Sequence, residues 1–320
     1  MGKKAIRTDL ALETREMIVE AADESSKIEG VEIESDKTGN ISVTRVKVVN
    51  EEGEIRIGKP KGSYITIEFP KMIETELEDE ENIKNVLANE IKRIVDLSDK
   101  STVLIVGLGN ENITPDALGP KVISHAVITR HLHEYMPEAV KNSKISSCAV
   151  SPGVLGITGI ETVEIVKGVI EKVNPDILFV IDSLASRKME RVSTTIQIAD
   201  TGITPGSGVG NSRKEFSQNS LGIPVIAIGV PTVVDAVTIV FDTIETVLSK
   251  IGSKAGIVDE EKEKIIDHVL GEEGTNIMVT PKEIDDIIKK ISLLVAEGIN
   301  IALHEGINPF NAANLSVARN

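Results

Sequence analysis

Apolar runs that end abruptly at a glycine or an acid constrain this chain most. In residues 103–120, VLIVGLGNENITPDALGP, four or five apolar residues stop at Gly107, Gly109 and Asn110. That is the pattern of a buried parallel strand whose carboxyl end opens into a ligand-binding crevice. Asp116 stands at the mouth. Thr114, Pro115 and Asp116 also read as a helix start, with Thr as N-cap, Pro at the first helical position and an acid facing the positive end of the dipole. Local sequence thus leaves Asp116 two readings, a helix-stabilising acid or a catalytic one. A second run, ILFVI over residues 177–181, leads directly into Asp182, and a third, PVIAIGV over residues 224–230, precedes a helix over residues 235–249.

The segments around these runs complete the pattern. Residues 1–22 show a short apolar periodicity and fit a frayed or weakly helical leader, a place where proteolysis is tolerated. Residues 31–69 alternate as VEIES, ISVTRVKVV, EIRIG and YITIEF, which predicts an antiparallel meander or hairpin pair. Helices are expected over residues 72–99, 115–134 and 158–173, the last stopped by Asn174-Pro175, and a short strand over residues 194–198. Residues 201–211, TGITPGSGVGN, form a loop dense enough in glycine to bring backbone close to a ligand. Residues 259–264 are charged and exposed, and a capping box at Thr280-Pro281-Lys282-Glu283 starts a final helix running to about His304. Strands alternating with helices predict an α/β fold with a doubly wound, mostly parallel sheet and an added antiparallel meander. The expected division is one domain over residues 10–320, with the meander at 31–69, the central sheet at 100–250 and the C-terminal helix at 280–305.

Composition narrows the function. Hydrophobic residues make up 41% but aromatics only 2%, so Ile, Val, Leu and Ala must build the core, as suits a sheet buried on both faces. A net charge of -15 argues against nucleic acid as a direct partner, because phosphates need clustered Lys and Arg. The single Cys148 rules out an intrachain disulfide and fits a reducing compartment. The N-terminus lacks the apolar core of a signal peptide, and no apolar run is long enough to span a bilayer.

The glycine motifs do not make a nucleotide site. GLGNEN lacks the third glycine of the dinucleotide fingerprint, and GSGVGNSRK lacks the Gly-Lys-Ser/Thr ending of a phosphate loop. His131 and His133 are two apart on a helix and point to different faces, and no histidine spacing closes a metal site. Ser207 has no nucleophile elbow around it. What survives is the pair Asp116 and Asp182. Two carboxyls sharing a crevice cannot both ionise easily, so one can hold a proton while the other takes one from water, as amide hydrolysis requires.

Longer blocks, among them GLGNENITPDALGP, PGVLGITGIET, NPDILFVIDSLASR, GITPGSGVGNSRKE, LGIPVIAIGVPTVVDAV and MVTPKEID, occur in one order from Arg7 to about His304. They resemble the germination protease family of spore-forming bacteria. The resemblance implies an endopeptidase that degrades small acid-soluble spore proteins when a spore germinates. It places the family's two proposed catalytic aspartates on Asp116 and Asp182 and implies no cofactor. The family in turn resembles the hydrogenase maturation proteases in fold, which leaves a metal-dependent mechanism as an alternative, although the histidine ligand of those proteins has no counterpart here. An inactive binder of spore proteins is a further alternative.

The resemblance also gives the leader a meaning. Members are made as inactive precursors, and the segment Thr8-Asp9-Leu10-Ala11-Leu12-Glu13 has the pattern of their cleavage sites: an acid, an apolar residue, Ala, any residue and Glu. Self-cleavage is therefore expected between Asp9 and Leu10, with residues 1–9 as propeptide and the chain beginning at Met1 as the precursor. The loop with Gly206, Ser207, Gly208, Gly210 and Asn211 is expected near the site, as are Gly109 and Asn110. A homotetramer in the cytoplasm of the spore core is expected, with no membrane and no nucleic acid bound. The connection over residues 250–277 is shorter than in other members, which bears on assembly and leaves both aspartates untouched.

Overall fold

The computed structural model describes residues 8–22, 28–71, 77–140, 143–209, 213–251, 259–271 and 277–304. The chain opens with helix α1 (Ala11–Ala22), strands β1 (Val31–Thr38) and β2 (Ile41–Val48), helix α2 (Glu51–Ile57), strand β3 (Gly62–Glu68) and helix α3 (Leu77–Ile94). Next come β4 (Thr102–Gly107), α4 (Leu118–His125), α5 (Arg130–Tyr135), β5 (Ser146–Val150), α6 (Leu155–Thr158), α7 (Thr162–Val173), β6 (Ile177–Ser186) and β7 (Thr195–Ala199). The last elements are α8 (Gln218–Leu221), β8 (Val225–Asp235), α9 (Ala236–Ile251), α10 (Asp259–Leu270), β9 (Met278–Val279) and α11 (Ile284–Leu303).

All nine strands among the described residues form one sheet, in the order β1-β2-β3-β7-β8-β6-β4-β5 with β9 on β8. The block β5-β4-β6-β8 is parallel, and β7, β3, β2 and β1 continue from β8 as an antiparallel wing. The fold is therefore α/β, with helices on both faces.

Residue parity sets the two layers, because successive side chains of a strand point to opposite faces. Val103 and Ile105 of β4 and Ile177, Phe179 and Ile181 of β6 pack in one cluster with α3, α4 and α11. Leu104, Val106, Leu178 and Val180 pack on the other face with Val163 and Val166 of α7 and with Phe216. The β-branched excess thus serves strands covered on both sides. No helix among the described residues is long and apolar enough to cross a membrane.

Several local expectations need correction. Of the two readings of the leader the helical one holds, with α1 from Ala11 to Ala22, but the start of that helix is packed and not frayed: Leu10, Ala11 and Leu12 are buried. EIRIG is not a strand but part of α2, whose Asn50 side chain caps the Gly53 N–H at 2.9 Å and whose C-cap Gly58 is left-handed. The helix expected over residues 115–134 is broken. Thr114–Asp116 is a 3₁₀ turn, α4 ends at His125, and α5 restarts at Arg130. Thr114 does not cap it; its hydroxyl donates to Asp285 Oδ1 at 2.7 Å. The box at residues 280–283 does not form either, since the Thr280 hydroxyl donates to the Thr232 carbonyl at 2.9 Å and α11 starts after Glu283. Residues 259–264 belong to α10.

Candidate active site

Asp116 is brought to the sheet by two glycines. A Cβ at Gly107 would stand 2.4 Å from the Gly119 carbonyl oxygen, and one at Gly119 would stand 2.3 Å from the Leu108 carbonyl oxygen. Only hydrogen at both positions lets the start of α4 lie against the end of β4, which holds the turn carrying Asp116 over the strand ends. The Asn110 N–H donates to Asp116 Oδ2 at 2.8 Å. Gly109 adopts φ +111, and a Cβ there would meet the Asp116 carbonyl oxygen at 1.9 Å. The glycines around Asp116 therefore serve close backbone packing.

Asp182 lies within β6, not beyond its end. It pairs with Gly229 of β8, and by parity it faces the α7 side, where Asp116 also lines the cleft. It is 5% exposed, and the only hydrogen bond found for its carboxyl among the described residues is from the Ser183 N–H at 2.9 Å. Burial raises its pKa well above the ordinary carboxylate range; the Asp116 and Asp9 charges add to the rise, and the Ser183 N–H opposes it. Burial also raises Asp116, against the Asn110 N–H. Two raised carboxyls now share one cleft of about 530 Å³, lined also by Leu108, Ile113, Val163 and Phe216.

Asp9 of the chain's own leader lines this cleft. The Asp9 N–H donates to the Ala185 carbonyl at 3.0 Å, and the Ala185 N–H returns a bond to Asp9 Oδ2 at 2.9 Å. The Ser207 hydroxyl donates to Asp9 Oδ1 at 2.7 Å. A Cβ at Gly208 would stand 2.2 Å from Asp9 Oδ2, so the glycine loop closes directly over that carboxylate. The Asp9 carbonyl oxygen accepts from Lys59 Nζ at 3.0 Å and from Gln197 Nε2 at 3.2 Å. Ala11 packs with Val46, Ile57 and Tyr64.

Glu13 ends the gripped segment. Its carboxylate is fully buried yet accepts from the Arg187 N–H at 2.6 Å, the Lys188 N–H at 2.9 Å and the Thr8 hydroxyl, with the Arg191 guanidinium 3.4 Å away. Arg191 also binds Glu16 and Glu68. Each acid of the pattern read at residues 8–13 thus has dedicated donors.

The structure brings together Asp116, Asp182, Gly109, Asn110, Asp9, Gly206, Ser207 and Gly208; Leu10 follows Asp9 into the core. Gly210 and Asn211 lie outside the described residues. Among the described residues no three His, Cys, Asp or Glu side chains converge as a metal site. His304 is occupied inside the fold, between Ser143 and Ser147, and burial lowers its pKa to about 4. Sequence reasoning missed Lys59, Gln197, Ala185 and the amides of residues 187 and 188. Gln197 carried only the signal of a polar residue alternating with Ile196 and Ile198, which places it on the opposite face of the strand from them. The others carried none.

A cleft at the ends of parallel strands, holding two high-pKa carboxyls and a peptide segment, defines an α/β enzyme that acts on peptides. A sequence profile described as "Germination protease" matches residues 11–257 and 251–316. A germination protease of Caldanaerobacter subterraneus subsp. tengcongensis is 52% identical over 313 residues, covering 94% of this chain and 95% of that protein. One from Clostridium acetobutylicum is 47% identical over 317 residues, covering 95% and 96%. One from Bacillus cereus is 41% identical over an alignment of 356, covering 97% of each. The chain belongs to the germination protease family and is an endopeptidase.

Proposed function

We propose that this endopeptidase is made as a precursor, cuts itself between Asp9 and Leu10, and then opens the degradation of small acid-soluble spore proteins at segments of the same pattern during spore germination. One observation carries the reading: residues 8–13 are gripped as a substrate would be, by Ala185 on the backbone N–H and the carboxylate of Asp9, by Ser207 on the same acid before the cut, and by the 187 and 188 amides on the glutamate after it.

In this mechanism Asp182, the more strongly raised acid, enters protonated, and Asp116, which is less buried, takes a proton from the attacking water. The water oxygen adds to the Asp9 carbonyl carbon. The carbon–nitrogen bond breaks, and the Leu10 nitrogen receives a proton from the acid pair. The precursor is silent toward other proteins because its own residues 8–13 occupy the binding groove. Location in the spore core and assembly as a homotetramer belong to the same reading, on the strength of the family resemblance.

The test incubates the full chain and reads its N-terminus by mass spectrometry, then offers a small acid-soluble spore protein to a form beginning at Leu10. Appearance of Leu10 as a new N-terminus, and cuts after acids in the spore protein, are expected. A chain that stays intact, or activity that vanishes on chelation and returns with one added ion, contradicts it.

A further inference from the structure

The loop after α2 and the middle of β7 converge on one backbone oxygen. Lys59 Nζ and Gln197 Nε2 both donate to the carbonyl of Asp9, at 3.0 and 3.2 Å. Lys59, Gln197 and Asp9 line a second cavity of about 280 Å³, which shares Asp9 and Leu184 with the main cleft. Gln197 is fixed from the other side, because its Oε1 accepts from the Ala11 N–H at 2.8 Å. Its amide therefore spans the Asp9–Leu10 and Leu10–Ala11 peptide units with its N–H toward the first. In the sheet, Gln197 and Asp182 are the two residues paired with Gly229, one on each side of β8.

Lys59 is unusual in what it faces. Its ammonium is partly buried and donates to a neutral carbonyl, while no carboxylate among the described residues lies within ion-pair distance of it. Burial lowers its pKa and the Asp9 charge opposes the change. A partly desolvated cation facing a neutral oxygen is under-compensated. It becomes well matched when that oxygen turns negative, the condition under which a preorganised donor accelerates acyl chemistry.

We propose that Lys59 and Gln197 are catalytic residues that form an electrophilic clamp on the scissile carbonyl, for the leader and for any substrate segment that takes its place. As water adds to the Asp9 carbonyl carbon, the carbonyl π electrons move to its oxygen, where both donors hold the charge. Collapse returns those electrons, breaks the carbon–nitrogen bond and leaves a carboxyl on Asp9 and an amine on Leu10. The inference rests on the self-cleavage reading above.

The test compares Lys59→Met, Lys59→Arg and Gln197→Leu with the parent in two assays: release of residues 1–9 from the full chain, and cleavage of a peptide of residues 5–16 by forms beginning at Leu10. Lys59→Met should lower kcat by about 10²- to 10³-fold, the range for losing one oxyanion donor, with KM within about threefold. Lys59→Arg should recover part of the rate. Gln197→Leu should lower kcat at least about tenfold and also raise KM, since it loses the Ala11 bond as well. Thermal melts identify any variant that fails to fold, and the remaining variants then decide. If the parent cuts at Asp9–Leu10 and the folded variants cut within threefold of it, or lose only KM, the clamp is wrong while self-cleavage stands. If the parent never cuts there, the self-cleavage reading fails, and the clamp with it.

Discussion

Asp9 and Ala185 exchange two hydrogen bonds, one from the Asp9 N–H to the Ala185 carbonyl at 3.0 Å and one from the Ala185 N–H to Asp9 Oδ2 at 2.9 Å. The acid before the expected cut is thus fixed by its backbone and its side chain to one residue of β6, three positions beyond Asp182. The same strand supplies the buried carboxyl and the register of the peptide. Its Leu184 separates the two cavities that meet at Asp9.

Gly208 tests this seating by size alone. Its φ is not positive, so alanine meets no backbone strain, but its Cβ would fall 2.2 Å from Asp9 Oδ2. Gly208→Ala is expected to slow release of residues 1–9 by tenfold or more. Gly156→Ala, at another residue of the cleft wall where a Cβ meets nothing within 4 Å, should leave it unchanged. Quantitative mass spectrometry of the two timecourses makes the comparison.

Glu13 should act in opposite directions in the two reactions. After a cut at Asp9, residues 10–22 remain tethered beside the groove at high effective concentration and compete with any substrate segment. Glu13→Ala removes the leader's hold on the 187 and 188 amides. Self-cleavage should slow, whereas the form beginning at Leu10 should show a lower KM for a peptide that carries its own glutamate. Steady-state kinetics on both forms check the two signs.

Asp182 ties stability to pH. Its folded pKa is raised by burial, then by Asp116 and Asp9, so the fold holds a proton that the unfolded chain has released. The stability it contributes is complete below the unfolded value of about 4 and is lost as pH rises through the folded value. Asp182→Asn carries no charge at any pH. Its Tm should match the parent near pH 4 and exceed it by several degrees near pH 8; equal melts across the range would show that Asp182 is ionised without cost.

Glu16 has the opposite sign. Burial alone would raise its pKa, but hydrogen bonds and charges from Arg191 and Lys188 overcome this and bring it to about 2. Its contribution to docking of α1 is complete above about 4.5 and is lost as pH falls toward 2. Glu16→Gln should destabilise the fold at pH 6, and the difference from the parent should vanish by pH 2, as denaturant titrations at the two pH values would measure.

The apolar runs at residues 103–106, 177–181 and 224–230 were legible because buried parallel strands leave near-continuous hydrophobic stretches. Asp116 and Asp182 were legible as acids interrupting or following such runs. Strand ends were not: β6 continues through Asp182 to Ser186 because β8 keeps pairing with it, and pairing is a property of the partner. α2 was misread because Glu54, Ile55, Arg56 and Ile57 alternate, although Asn50, the acids after it and Gly58 spelled out both helix caps. The clamp at the Asp9 carbonyl was hidden for a different reason. Lys59 lies in the loop before β3 and Gln197 on β7, and only the pairing of those two strands in the sheet brings them to one oxygen.

The central claim is that Asp116 and Asp182 together hydrolyse the bond after Asp9, and the most direct measurement is the N-terminus of the full chain after incubation, for the parent, Asp116→Asn and Asp182→Asn, each checked for folding. The parent should yield a chain beginning at Leu10, while both variants should remain intact, slowed by at least about 10³-fold. A variant that releases residues 1–9 at the parent's rate would contradict the account and leave that aspartate as a packing acid at the strand ends.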